Sequence, residues 1–491
     1  MPIAKISIFG VTSSKEDDFF TSSSNCQLEN LYVDKVGNDL VIRTRPGLSH
    51  KAPTPEANHD GCYGIYFPAA NRMLFNTYKP TGTLTQILST NFLEQVTAIG
   101  TVTGSALSCS NYILFNSGGV EYAVFGGLNN YIHYINPSLT VASLDTGVGN
   151  NVNQKLCELN NYILKLGRSD KEVYFCAVGD LTSWNALNFI STGNTLYNIH
   201  SFQDYLYVFE ANRTFRYYND GSTPFVSAKG QDIYAGTTSY MSVTDDGNNI
   251  YFIDSSARMG RIEGNSFVDL SQNVSKELKD IVGKSPAYYY CNFIEYYGKR
   301  FIVCGNSDST TKTSMVYDID LGIWSKWSFN DGNSTNGSPI FQTLYHPDAN
   351  AYFGTYHGTG TAGAFMKLVE QGFDYAYDYN LSLGNLQIPQ TFKTPFIDHG
   401  THRNKRSRCI RLRCRKTTSA GTLRIAFRDN AEGSFVTMRD YDIDSDNDDL
   451  ITIENFANGV YRQRQYKITS EGAIGKLGIT DFEEEFEILG S

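Results

Sequence analysis

The chain has 491 residues, of which 41% are hydrophobic and 13% aromatic, enough apolar material for more than one buried core. Its 41 basic and 51 acidic residues leave a net charge of −10, which argues against a general nucleic-acid-coating protein but not against a channel that nucleic acid slides through. Nine cysteines, odd in number and without a CxxC pair, read as reduced, buried thiols made in a cytoplasm and not as a disulfide scaffold.

In chain order, the opening "MPIAKISIFGVTSSKEDD" carries an apolar run broken by Lys5 and too short for a signal-peptide core. No stretch approaches the ~18 to 20 apolar residues that span a bilayer, so no membrane insertion is expected. Residues 1–60 are polar and turn-rich and end in "RTRPGLSHKAPTPEANHDG", where Pro46, Pro53 and Pro55 favour extended chain. They read as an N-terminal arm or strap.

From residue 61 a pattern recurs. Asn71 opens "NRMLFNTY", Asn111 "NYILFNSG", Asn161 "NYILKLGR", Asp204 "DYLYVFEA", Asn248 "NNIYFIDS", Gly298 "GKRFIVCG" and Asn350 "NAYFGTYH". Each is a turn-forming residue followed by a short apolar or aromatic run, at intervals of roughly 40 to 50 residues, as in propeller blades. A small antiparallel sheet with two apolar faces cannot bury both by itself; radial stacking of copies does so and leaves only short edges. Residues 61–385 therefore read as a β-propeller of about six or seven blades, with room for an interruption. A series of ordinary hairpins in sandwich domains is the other reading.

The clearest helix signal is "SQNVSKELKDIVG": Ser271 or Asn273 can cap it, Val274, Leu278 and Ile281 share a face, and Gly283 stops it. From 386 onward longer runs of period-2 alternation predict a C-terminal β-sandwich over 386–491. The fold class is all-β.

Signals for chemistry are weak. "GTGTAG", Gly358 to Gly363, matches GxGxxG but lacks the βαβ surroundings a dinucleotide site needs. "DIDSDNDD", Asp442 to Asp449, lacks the glycine and glutamate of a calcium loop. "HGTH", His399 to His402, offers two ligands with no third nearby and reads as a surface turn. No GxSxG, HExxH or P-loop occurs, and sialidase-type SxDxGxTW boxes are missing. No catalytic, cofactor or metal residue is assigned, and a non-enzyme is expected.

One charge feature stands out. "THRNKRSRCIRLRCRK" holds Arg403, Lys405, Arg406, Arg408, Arg411, Arg413, Arg415 and Lys416, eight positive charges in fourteen residues. Arg411, Arg413 and Arg415 alternate with Ile410, Leu412 and Cys414, so a strand here would be guanidinium on one face and apolar on the other. It is a candidate surface for DNA phosphates or a neighbouring subunit, or a solvated face balanced by the acidic runs at 440–449 and 481–487.

The order of several short motifs resembles the tail hub, or nozzle, proteins of short-tailed (podovirus-type) bacteriophages, also called packaged-DNA stabilisation proteins. The similar segments are "MPI", "ENLYVDKVGNDLVIRTRPGL", "YLYVFEANRTFRYYNDGS", "VDLSQNVSKELKDI", "MVYDIDLGIWSKW" and "TFKTPFIDHGTHRNKRSRCIRLRC". The resemblance implies a virion structural protein: a homohexameric ring below the portal and the adaptor or head-completion protein. Its lumen would pass double-stranded DNA without sequence preference, and its outside would dock tail spikes, fibres or a needle. The basic run at 403–416 is not carried over from the family. The alternative class is a propeller that binds a receptor or carbohydrate, or cleaves glycan, as on a tailspike; the 33 tyrosines keep it open.

Overall fold

The computed structural model describes residues 3–5, 27–36, 39–53, 60–78, 84–90, 96–103, 111–127, 130–149, 153–167, 170–221, 224–284, 289–296, 298–306, 313–328, 342–346, 351–355, 364–369, 377–380, 384–415, 421–430, 432–442, 450–454, 459–472 and 478–489. The chain forms two compact units, each discontinuous in sequence. One comprises 49–312 and 334–368; the other comprises 1–48, 313–333 and 369–491.

The first unit is a run of four-stranded antiparallel meanders. Blade 1 is Asp60–Phe67, Arg72–Tyr78, Leu84–Thr90 and Val96–Thr103. Blade 2 is Tyr112–Ser117, Val120–Gly126, Tyr131–Ile135 and Val141–Asp145. Blade 3 is Asn153–Leu159, Tyr162–Gly167, Glu172–Ala177 and Asp180–Ser191. Blade 4 is Asn198–Phe202, Tyr205–Phe209, Thr214–Tyr218 and Val226–Ser227. Blade 5 is Val243–Asp245, Ile250–Ile253, Met259–Glu263 and Ser266–Asp269. The hairpin Tyr289–Tyr296/Lys299–Asn306 begins a sixth sheet, and Gln342–His346, Ala351–Thr355 and Ala364–Val369 form a seventh. The first strand of each sheet neighbours the first strand of the next, and the seventh lies against the first, so the circle closes at about seven blades.

The recurring sequence motif has a local cause. The hairpin joining the first two strands of a blade needs a residue with positive φ, and Asn71 (φ 50°), Asn161 (φ 63°), Gln203 (φ 53°), Gly247 (φ 80°) and Gly298 (φ 72°) supply it. The run that follows is the second strand, at the middle of its blade and flanked by neighbouring blades on both faces. It is buried end to end in Leu206–Phe209, Ile250–Ile253 and Phe301–Asn306. Blade 2 departs from this: Asn111 introduces its first strand, and the turn to the second uses Gly118 and Gly119. The hydrophobic clusters lie between blades. Leu164, Leu166 and Phe175 of blade 3 pack with Ile199, Leu206 and Val208 of blade 4; Phe209 of blade 4 packs with Ile250 and Phe252 of blade 5.

The single α-helix among the described residues, Ser275–Lys284, follows the outermost strand of blade 5 and buries Leu278 and Ile281. Its amphipathic face is as expected, but its ends differ. Ser271 does not cap it; the Ser271 hydroxyl donates to Asp269 (2.7 Å) and accepts the Met259 amide (3.0 Å). Gly283 sits inside the last turn, not beyond it. No helix among the described residues is long and apolar enough to cross a membrane.

In the second unit, strands from both ends of the chain share one core. The first sheet orders Leu31–Val36, Asp39–Thr44, Gly478–Ile488, Lys405–Arg415 and Leu450–Glu454, with Ile3–Lys5 also on Gly478–Ile488. The second runs Thr313–Asp318, Ile323–Ser328, Gln27–Glu29, Thr391–Lys393, Gln465–Gly472, Gly421–Arg428 and Val436–Asp442. Leu31, Val33, Ile42, Ile410, Leu412 and Phe482 from the first meet Leu28, Phe392, Leu423, Ile425, Tyr466 and Ile468 from the second.

The expected division at 60 and 385 is thus not the division into compact units. Gln27–Glu29, Leu31–Val36 and Asp39–Thr44 are not a free strap but core strands, and Arg45 ties them down. Its guanidinium is buried and donates to Asn30 Oδ1 (3.0 Å), the Pro46 carbonyl (2.8 Å) and the Ser328 carbonyl (2.6 Å). The polar composition hid this because the apolar positions alternate and their partners, such as Ile479 opposite Ile42, lie at the far end of the sequence. The hairpin at 313–328 likewise belongs to this unit by contact.

Candidate functional site

The inner strands of blades 1 to 6 surround a central cavity of about 690 Å³. Each blade brings a polar or aromatic residue on or just before its inner strand: Tyr63, Asn111, Lys155, His200, Asp245 and Asn292, in blade order. Asn111 is structural, because its side chain brackets the Leu156 main chain, donating to the carbonyl and accepting from the amide at 2.9 Å each. That locks blade 2 to blade 3 at the channel wall.

His200 and Asp245 pair across blades 4 and 5, Nε2 to Oδ2 at 2.9 Å. Burial works against the Asp245 carboxylate, but the His200 hydrogen bond and charge and the Gly247 amide (3.0 Å) hold it below the usual carboxyl range. Lys155 on blade 3 has no hydrogen-bond partner for Nζ among the described residues. Burial lowers its pKa to about 8 against the pull of Cys157 and Asp245. Cys157, two residues on, is pushed well above the usual thiol range by burial, so it is an inert thiol.

The wall between blades 5 and 6 is held by hydroxyls. Tyr289 Oη meets Thr237 Oγ1 at 2.9 Å and accepts the Thr238 amide at 3.0 Å, Thr237 reaches Ser242 at 2.6 Å, and Ser239 donates to the Tyr289 carbonyl at 2.6 Å. These residues come from "GTTSYMS", Gly236 to Ser242, a run without a hydrophobic period. The channel set was not legible in the sequence, because its members are one per blade and share no local spacing.

The basic run lies elsewhere, in the second unit. The alternation is as read over its described part: Ile410, Leu412 and Cys414 are buried, and Arg406, Arg408, Arg411 and Arg413 face outward on Lys405–Arg415. They are met by acids of the neighbouring strand Gly478–Ile488. Arg408 pairs with Glu487, Arg411 with Glu485 (3.1 Å) and Arg413 with Asp481 (3.7 Å). Arg403 and Arg406 are exposed, and Arg406 sits opposite Glu487 in the register. Lys405 is not on that surface. Its Nζ is buried and donates to the carbonyls of Thr401 (2.5 Å), Arg403 (2.9 Å) and Arg462 (2.6 Å). The side chain of Arg415 and all of Lys416 lie outside the described residues.

The "HGTH" histidines do not converge. His402 is exposed, whereas the His399 side chain is buried against Glu484 (3.0 Å) and stacked on Phe486. "GTGTAG" lies outside the described residues, as does "DIDSDNDD" beyond its first residue, which ends the strand Val436–Asp442. Among the described residues no group of three or more His, Cys, Asp or Glu side chains could hold a metal. The six cysteines whose side chains are described, Cys157, Cys176, Cys291, Cys304, Cys409 and Cys414, are all free and buried.

No family model matches the chain, and no curated protein does. Solved structures similar to it include a streptogramin B lyase (10% identity, 66% of this chain and 98% of that one, TM-score 0.45). Virginiamycin B lyase from Staphylococcus aureus is similar at 8% identity, over 67% and 99%, with TM-score 0.45. The WD40 β-propeller domain of Doa1 is similar at 10% identity, over 66% and 98%, with TM-score 0.40.

Proposed function

We propose that the chain is a structural, non-enzymatic subunit of a tail hub or nozzle ring of a short-tailed bacteriophage. In this reading six copies extend the DNA exit channel below portal and adaptor, retain packaged DNA, and dock spikes, fibres or a needle. The observation that carries it is the placement of the segments that bear the resemblance. "VDLSQNVSKELKDI" is the end of the outermost strand of blade 5 running through a 3-10 turn, Gln272–Val274, into the only α-helix among the described residues. "YLYVFEANRTFRYYNDGS" holds the hairpin Tyr205–Phe209/Thr214–Tyr218, whose second strand is followed by a turn at Gly221 (φ 82°). "MVYDIDLGIWSKW" is a hairpin closed at Gly322 (φ 69°).

Two further features support it. A cavity of about 690 Å³ is the size of a small-molecule pocket, so duplex DNA would run through a lumen enclosed by several copies and not through one propeller. The arginine row is matched by acids, so a face of this kind does not clamp phosphates, and a duplex slides past with little salt-dependent drag.

The test is electron microscopy of the purified full-length protein at high concentration. A six-fold ring with a hole the width of a duplex is the expected result; a stable monomer overturns it. The second reading, a glycan- or receptor-binding propeller, is favoured by one observation: the channel has ligand size and gathers Lys155, His200, Asp245 and Asn292 around it. Binding of host polysaccharide that is lost in His200→Ala would support that reading.

A further inference from the structure

Two thiols on the hairpin that begins blade 6 oppose each other. In the pairing of Tyr289–Tyr296 with Lys299–Asn306, Cys291 is the cross-strand partner of Cys304. Their Sγ atoms lie 3.5 Å apart and both side chains are buried. The main chain shows which kind of pair this is. The Cys291 amide donates to the Met241 carbonyl at 3.1 Å, toward blade 5 and away from its hairpin partner. In an antiparallel ladder, opposed residues whose amides turn outward form the non-hydrogen-bonded pair. Their Cα atoms come to ~4.5 Å and their side chains are closest there. A disulfide spans Cα separations of ~4.4 to 6.8 Å, so the backbone already sits within its range. The other described cysteines are not so placed: Cys157 is opposite Leu164, Cys176 is opposite Trp184, and Cys409 and Cys414 share one strand.

We propose that Cys291 and Cys304 are a disulfide-forming site, closed by thiol–disulfide exchange with a small organic disulfide. Cys291 borders the central cavity but is only 1% exposed, so the reagent reaches its thiol when the blade 5–blade 6 wall opens locally. The Cys291 thiol loses its proton to solvent and its thiolate attacks one sulfur of RSSR. An S–S bond to Cys291 forms, the reagent's S–S bond breaks, and RS⁻ leaves and is protonated. Cys304, deprotonated in turn, attacks Sγ of Cys291 and expels the second RS⁻. Two protein thiols are oxidised and one disulfide is reduced to two thiols. Burial, and then the Cys304 thiol itself, push the Cys291 thiol well above the usual range, so thiolate is scarce and the exchange is slow. The product staples the channel-wall strand of blade 6 to the strand behind it.

The experiment uses the full-length reduced protein, freed of reductant and incubated with hydroxyethyl disulfide in native buffer, with circular dichroism recording that it stays folded. The expected product is lighter by about 2 Da, carries no adduct, and returns to the starting mass with dithiothreitol. Trypsin should release the segments holding Cys291 and Cys304 as one linked species. The oxidised form should melt at a higher temperature than the reduced form. Cys291→Ser and Cys304→Ser should each abolish the 2 Da loss; if a serine variant fails to fold, the alanine variants serve. Linkage of any other cysteine pair, adducts without closure, or unchanged mass in the folded wild type would overturn the proposal.

Discussion

Nε2 of His399 lies 3.0 Å from Oε2 of Glu484, and both side chains are withdrawn from solvent. The same carboxylate accepts the hydroxyls of Tyr461 and Tyr466, each at 2.6 Å. Burial opposes the charge, but these hydrogen bonds, led by His399, hold the Glu484 carboxyl below its ordinary range. Burial and then the Glu484 charge push both tyrosines above theirs.

Glu484→Ala should cost about 3 to 5 kcal/mol in urea denaturation, because three buried partners lose their acceptor. Glu484→Gln should cost less. The folded carboxyl titrates below the unfolded value of 4.5, so the unfolded state takes up protons first on acidification. The advantage of wild type over Glu484→Gln is therefore complete above that pH and shrinks as pH falls below it. A gap independent of pH would contradict the assignment.

Two lysines of blade 3 should respond in opposite ways. Lys165 Nζ donates to Thr146 Oγ1 and the Val148 carbonyl, each at 2.5 Å, whereas Lys155 faces the channel without such partners. Burial lowers both pKa values to about 8. Lys165→Met should destabilise by about 1 to 3 kcal/mol by orphaning buried acceptors. Lys155→Met should leave stability at pH 7 unchanged or higher. In wild type the unfolded lysines hold protons that the folded ones have released between about 8 and 10.5, so stability rises across that window. Each variant should flatten that rise, read from denaturation midpoints at several pH values.

Arg45→Ala should cost about 2 to 4 kcal/mol, since Asn30 and two carbonyls lose a buried charged donor. Arg45→Lys should not restore it, lacking the planar fork. A silent Arg45→Ala would mean that the N-terminal strands contribute nothing to the fold.

A Cβ on Gly236 would stand 2.0 Å from the Glu210 carbonyl and 2.7 Å from the Arg213 amide. Both are main chain, so neither yields as a side-chain tip would. Gly236→Ala should lower stability by about 1 to 3 kcal/mol, whereas Gly193→Ala at an open turn should be limited to the cost of its φ of 86°.

Arg411 and Glu485 are both partly exposed, so a double-mutant cycle should return a coupling under about 1 kcal/mol that fades with salt. If the row is balanced in place, Arg408→Ala/Arg411→Ala/Arg413→Ala should change duplex-DNA retention on a gel at 0.15 M salt very little. A large loss would restore the row as a phosphate surface.

The blades were legible because their signal is local. A residue able to take positive φ, such as Asn71 or Gly298, followed by an apolar run such as Phe301-Ile302-Val303, marks a hairpin and the strand buried within a blade. The helix face of Leu278 and Ile281 was legible for the same reason; its cap was not, because Ser271 is held by Asp269. The arginine alternation on Lys405–Arg415 could be read, but its neutralisation by the strand beside it could be placed only once Arg411 and Glu485 were seen in register.

By itself, then, the sequence determined the all-β character, the rhythm of hairpins and the buried run in each, since turn φ and side-chain alternation act within a few residues. Tertiary structure alone decided that the circle closes at about seven, that Ile42 pairs with Ile479, that Lys155, His200 and Asp245 meet in one channel, and that Cys291 faces Cys304. Strand pairing and blade stacking bring together residues far apart in the chain, and main-chain hydrogen bonds are nearly blind to which strand supplies the partner. Which strands become neighbours is set by how whole apolar faces are best buried together.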